Sequence, residues 1–171
     1  MLSLASLNAL DRPAFTAALG HLFEHSPWIE EETWPRRPFL DATHLHAELC
    51  ATMRAAGPAR QLELIRAHPD LAGRLARQNA LTAESTREQA SAGLDRLTEA
   101  ELAEFQRLNT AYLARFGFPF IICARLNAKS AILAAMQARL PNPPDLEFAT
   151  ALGEIEKIAR LRLNDLLEKP I

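Results

Sequence analysis

"TEAELAEFQRLNTAYLARFG", residues 98–117, is the stretch whose reading decides the fold. Thr98 followed three places later by Glu101 has the form of a capping box, in which hydroxyl and carboxylate each satisfy a backbone N–H at a helix start. Leu102, Phe105, Leu108, Tyr112, Leu113 and Phe116 then keep helical period, and Gly117 supplies the stop. The whole chain has this bias. Valine is absent, tyrosine occurs once, and Ala and Leu dominate, so strand-favouring residues are scarce.

Working outward, Asp11 with Pro13 marks an earlier helix start, and Phe15, Leu19, Leu22 and Phe23 share its apolar face. "SPW" at 26–28 ends that helix, and "WPRRPF" keeps the chain irregular before Asp41 caps a long helix closed by Gly57. Pro58 opens the next, which stops at His68-Pro69, and Asp70 restarts a short helix to about Gln78. Beyond Gly117, helices run from Asn127 to the "PNPP" break and from about Asp145 to Glu168. With no repeat or linker, the expectation for residues 1–171 is a single all-α domain, a bundle of about seven to nine helices.

Composition narrows the function. The 171 residues carry a net charge of −2, which offers no footprint for nucleic acid or an anionic membrane. No apolar run reaches the roughly 18 to 20 residues of a membrane span. The N-terminus lacks the basic start of a signal peptide, and "EKPI" is no organelle address. Cys50 and Cys123 stand alone, without metal, redox or disulfide spacing. A cytoplasmic protein is expected. There is no glycine-rich phosphate loop, nucleophile elbow or other cofactor fingerprint.

Three stretches could carry chemistry. In "RAHPDLAG", residues 66–73, Pro69 drives His68 out of the helical region, so its imidazole is a junction group able to face a cavity. Taken alone, a capping or surface histidine is the simpler reading. "ESTREQ" puts Ser85, Glu88 and Gln89 on one helix face, a hydroxyl, a carboxylate and an amide suited to a small heterocycle or ureido group. The same letters also make a capping box with Ser85 as N-cap, the simpler expectation there. "FGFPFIICA", 116–124, is continuously apolar around Pro119. It is either a buried connection or a backbone whose polar groups meet a ligand.

Other candidates are weaker. His21 and His25 flank Glu24 at helical spacing, but the HExxH order and a third ligand are missing, so no metal site is expected. His44 and His46 cannot share a helix face. Arg162, within the apolar run of "KIARLRL", either snorkels to water, the simpler reading, or is buried against an acid or a ligand anion.

Five separated motifs, "EHSPW", "HPDLAG", "LTAESTREQASAGLDRLT", "LNTAYLARFGFPFIICAR" and "IEKIARLRL", together resemble one family. It is that of the decarboxylases acting on 2-oxo-4-hydroxy-4-carboxy-5-ureidoimidazoline (OHCU), which form (S)-allantoin and CO₂ in urate degradation. The resemblance runs in order from about Glu24 to Leu166, with no departure at the motif positions. It implies an all-helical, cofactor-free enzyme, a small-molecule substrate and a homodimer, with no nucleic-acid or membrane partner. It makes His68 the acid–base residue and Glu88 its acidic companion. Ser85 and Gln89 would bind the substrate's polar edge and Arg162, preferred to Arg160, its carboxylate or ureido end. Pro69 would pack on the ring, and the backbone around Phe118, Phe120, Ile121 and Ile122 would bond the ring amide. A non-catalytic ligand-binding module and a ureido-amide hydrolase on the same fold are the alternatives.

Overall fold

Acid and hydroxyl caps start most of the helices, and these caps explain where the chain folds locally. The computed structural model describes residues 1–73 and 81–168. It divides into two compact units, Met1–Ala67 with Ile155–Ile171, and His68–Glu154. Among the described residues there are nine α-helices and two 3₁₀ turns, and the only β pairing is an isolated bridge between Leu2 and Leu167. The all-α expectation holds.

In the first unit, Ser3 caps α1 (Leu4–Ala9), a helix the sequence pattern did not reveal. Asp11 accepts from the Ala14 N–H at 2.9 Å to cap α2 (Arg12–Leu19). That helix ends at Leu19, so Leu22 and Phe23 lie beyond it. They are buried nonetheless, which is why they mimicked a continuing stripe. A further short helix, α3 (Trp28–Thr33), follows where only a break was expected. Asp41 caps α4 (Ala42–Ala55), accepting from the His44 N–H at 2.7 Å. Gly57, at φ 80°, turns the chain into α5 (Pro58–Ala67). Leu7, Phe15, Ile29, Leu45, Leu49, Met53 and Leu64 are fully buried here. Each such side chain contributes about 1.5–3 kcal/mol of hydrophobic stabilisation.

In the second unit, α6 (Ala83–Ser91) is followed by α7 (Glu99–Phe116), whose Thr98–Glu101 capping box is fully formed and whose Gly117 cap is left-handed at φ 73°. A non-helical segment and a 3₁₀ turn (Ala124–Leu126) lead to α8 (Lys129–Arg139). The last helix, α9 (Pro144–Leu166), begins in this unit and ends in the first. Tyr112 is the centre of its core, with ring centroids 4.5 Å from Phe116, 6.0 Å from Phe118 and 5.2 Å from Phe120. The helix expected from Asp70 to Gln78 falls largely outside the described residues, and what is described of it, 71–73, is a turn.

Candidate active site

Helix α5 stops at Ala67, and His68 is extruded into the loop as the following proline requires; it is buried, 7 % exposed. Asp70 stands before the expected helix, whose residues from 74 onward lie outside the described ones. Its carboxyl folds over Gly73, occupying the place a Cβ on that glycine would need, and the Gly73 N–H meets the Asp70 carbonyl at 3.4 Å. Ala72 is left-handed at φ 51°, a conformation that residues with a Cβ rarely adopt. Two side chains hold this loop. Asn109 on α7 donates to the Leu71 carbonyl at 2.8 Å, and the Ala72 N–H donates to Gln89 Oε1 at 3.0 Å.

The second contact ties the histidine's loop to the "ESTREQ" face. Ser85 and Gln89 are buried on α6, with Glu88 half-buried between them. The N-cap is Thr82, whose hydroxyl accepts from the Ser85 N–H at 3.2 Å, so the capping-box reading with Ser85 as cap is corrected. The helix starts two residues before Ser85, which turns the Ser85 side chain inward. The Gln89 carbonyl oxygen is committed to the loop, which leaves its amide nitrogen as the donor edge.

The segment "FGFPFIICA" is buried throughout its middle: Phe118, Phe120, Ile121, Ile122 and Cys123 are each under a tenth exposed. Its backbone finds protein partners. Arg139 Nη1 donates to the Ile121 carbonyl at 2.9 Å, and the Cys123 N–H donates to Glu154 Oε2 at 2.8 Å. Trans peptides point their C=O and N–H in opposite directions. Ile122 N–H is therefore turned away from Arg139, and Ile122 C=O away from Glu154. Helix α6 packs on the 3₁₀ turn that ends this segment. Burial, with the charges of Glu154 and Glu88, pushes the Cys123 thiol up to about 11. The thiol therefore stays protonated at neutral pH.

Behind the segment is a polar group that sequence reasoning missed. Glu147, fully buried, accepts from Tyr112 Oη, from Asn142 Nδ2 at 2.9 Å, and from Arg139 through both Nε and Nη2. The Arg139 guanidinium also sits 4.3 Å above the Phe120 ring. Burial and the adjacent carboxylate hold the Tyr112 phenol protonated far above its ordinary range. Glu147 escaped notice because an acid in a helix's first turn usually serves only the helix dipole.

Arg162 lies in the first unit. It is 4 % exposed, against an exposed Arg160, and its Nη1 donates to Glu24 Oε2 and the His21 carbonyl, both at 3.1 Å, with the Leu22 carbonyl at 3.5 Å. The snorkelling expectation is corrected: the side chain is buried against an acid. An open groove of about 550 Å³ at Gly93, Arg125, Asn127 and Lys129 includes none of the residues singled out from the sequence.

The chain matches the family model described as OHCU decarboxylase over residues 8–164. It belongs to the OHCU decarboxylase family. The relatives agree. The OHCU decarboxylase of Halalkalicoccus jeotgali is 42% identical over 165 residues, covering 96% of this chain and 92% of that protein. That of Amia calva is 40% identical over 169 residues, 99% of this chain and 97% of its own. A solved structure described as (S)-allantoin synthase superposes with a TM-score of 0.78 at 29% identity over 98% of this chain. The present chain spans 54% of that solved chain. As a member of the OHCU decarboxylase family the protein is a carboxy-lyase. Among the described residues no helix is long and apolar enough to cross a membrane.

Proposed function

We propose that this protein converts OHCU to (S)-allantoin and CO₂, with His68 and Glu88 as its catalytic residues. The observation that carries the reading is the Ala72–Gln89 hydrogen bond, which fastens the His68 loop to the helix bearing Ser85, Glu88 and Gln89. In the substrate the carboxylate sits on the ring carbon that also bears the hydroxyl, next to a ring C=N. When the carbon–carboxylate bond breaks, its electron pair forms a carbon–carbon double bond and the C=N pair moves onto the ring nitrogen, which takes up a proton, so the substrate is its own electron sink. The hydroxyl then loses its proton to become the ring carbonyl, and the neighbouring carbon gains one to become the stereocentre. His68 shuttles that proton on one face only, with Glu88 fixing the imidazole.

Ser85 and the Gln89 amide nitrogen hold polar edges of the ring, and Pro69 packs on it. For Arg162, in the first unit, we keep the reading that the family resemblance implies, a residue for the substrate's carboxylate. Ile122 presents an N–H and a C=O turned away from their protein-bonded neighbours, a pair that matches the donor and acceptor of a ring amide; Phe118, Phe120 and Ile121 form its apolar surround. We further read the chain as one domain, since the family match runs through both compact units. We read the enzyme as cytoplasmic and homodimeric, the exposed Leu113, Leu126 and Leu146 favouring self-association. The test is to follow freshly generated urate-oxidation product by optical rotation. Wild-type protein should give dextrorotatory or levorotatory product of a single sign with CO₂ release above the blank. A racemic product at the blank rate would sink the proposal.

A further inference from the structure

The geometry points to Glu24 as the positioning residue for Arg162, the carboxylate that sets the direction from which the guanidinium meets the substrate's anionic end. This rests on the reading of Arg162 as the anion-binding residue. "EHSPW" is the one family-like motif to which the proposed reaction gives no task, and Glu24 opens it. Both partners are nearly inaccessible, with side chains 3% exposed, and their contact is an ion pair of 3.1 Å.

Three acceptors converge on the single nitrogen Nη1: Glu24 Oε2 and the carbonyls of His21 and Leu22. All three come from the non-helical connection between α2 and α3. That connection is held in an unfavourable shape, for His25, directly after Glu24, is left-handed at φ 47°. A buried ion pair adds little net stability over an apolar pair of the same volume. What it supplies is direction: the guanidinium is planar and rigid, so fixing Nη1 fixes the plane in which its other N–H groups lie. The carboxylate also balances the buried cation.

The test uses the full chain and freshly generated OHCU, with E24A, E24Q, R162A and the double variant R162A/E24A checked for folding by circular dichroism. R162A should lower kcat/KM by about a hundredfold. Folded E24A should lose about tenfold to a hundredfold, chiefly in kcat, because a misaligned guanidinium fails most in the transition state. E24Q, which keeps an acceptor oxygen, should recover part of that loss. Guanidinium chloride at millimolar concentration should rescue R162A but not R162A/E24A. If R162A turned over like wild type, the anion-binding reading itself would fall and the proposal with it. If R162A were crippled while E24Q matched wild type and guanidinium rescued both R162A backgrounds equally, Glu24 would be structural and the proposal alone overturned. Should E24A or the double variant not fold, E24Q decides by itself: wild-type kcat/KM overturns the proposal, and a loss in kcat at intact fold upholds it.

Discussion

Arg139 holds the Ile121 carbonyl at 2.9 Å with one end of its guanidinium while the other end is bound to the buried Glu147 carboxylate. The link joins the most deeply buried acid of the second unit to the backbone of the segment proposed to face the substrate. Arg139→Met leaves Glu147 without its charge partner, and removing one member of a buried pair is destabilising by about 3–5 kcal/mol. Urea denaturation should show that loss. Arg139→Lys keeps the charge but not the fork, so it should retain more stability and still raise KM.

His68→Ala should lower turnover by about 10²- to 10⁴-fold, the usual contribution of a general acid–base group. Circular dichroism should be unchanged, because Asn109 and Gln89 still hold the loop through the Leu71 carbonyl and the Ala72 N–H. Residual product should lose its optical purity. Wild-type rate and chirality in the variant would rule His68 out as the proton carrier.

Gln89→Leu should release the loop. It leaves the buried Ala72 N–H without its acceptor, which costs about 1–3 kcal/mol. Hydrogen exchange at the Ala72 amide should accelerate well beyond that of the α7 core, and kcat/KM should fall with it.

Glu30 makes stability depend on pH. The residue is fully buried on α3, both carboxyl oxygens lack a hydrogen-bond partner, and burial, helped by the Glu31 charge, pushes its pKa from 4.5 up to about 8. Its own backbone N–H opposes the shift only in part. Below pH 4.5 both folded and unfolded chains hold the proton and there is no penalty. Between 4.5 and about 8 only the unfolded chain releases it, so stability falls as pH rises and levels off above. The fall amounts to about 5 kcal/mol at most. Glu30→Leu should flatten the profile of unfolding free energy against pH in that window and raise stability at pH 8.

What the letters revealed and concealed follows from the range of each interaction. Caps and helical stripes are local, so Asp11, Asp41, Thr98 and Gly117 were readable as boundaries and all act as such. Leu22 and Phe23 misled because burial outlasts the helix. Ser85 misled because Thr82, three residues earlier, offers the same cap chemistry. The positions joined by Arg139, Glu147 and Tyr112, or by Glu24 and Arg162, are far apart in sequence, and no periodicity connects them. The proposed site residues were named only through the co-occurrence of five motifs, and the structure shows the bonds from Gln89 and Asn109 to the loop that follows His68.

Because the Ala72 N–H occupies Gln89 Oε1, the amide cannot flip, and its nitrogen always faces the other way. A ligand reaching that edge meets a donor and never an acceptor. A carbonyl or ring lone pair is matched there and an N–H is repelled, so the bond that anchors the His68 loop also sets the polarity of the edge that Gln89 offers.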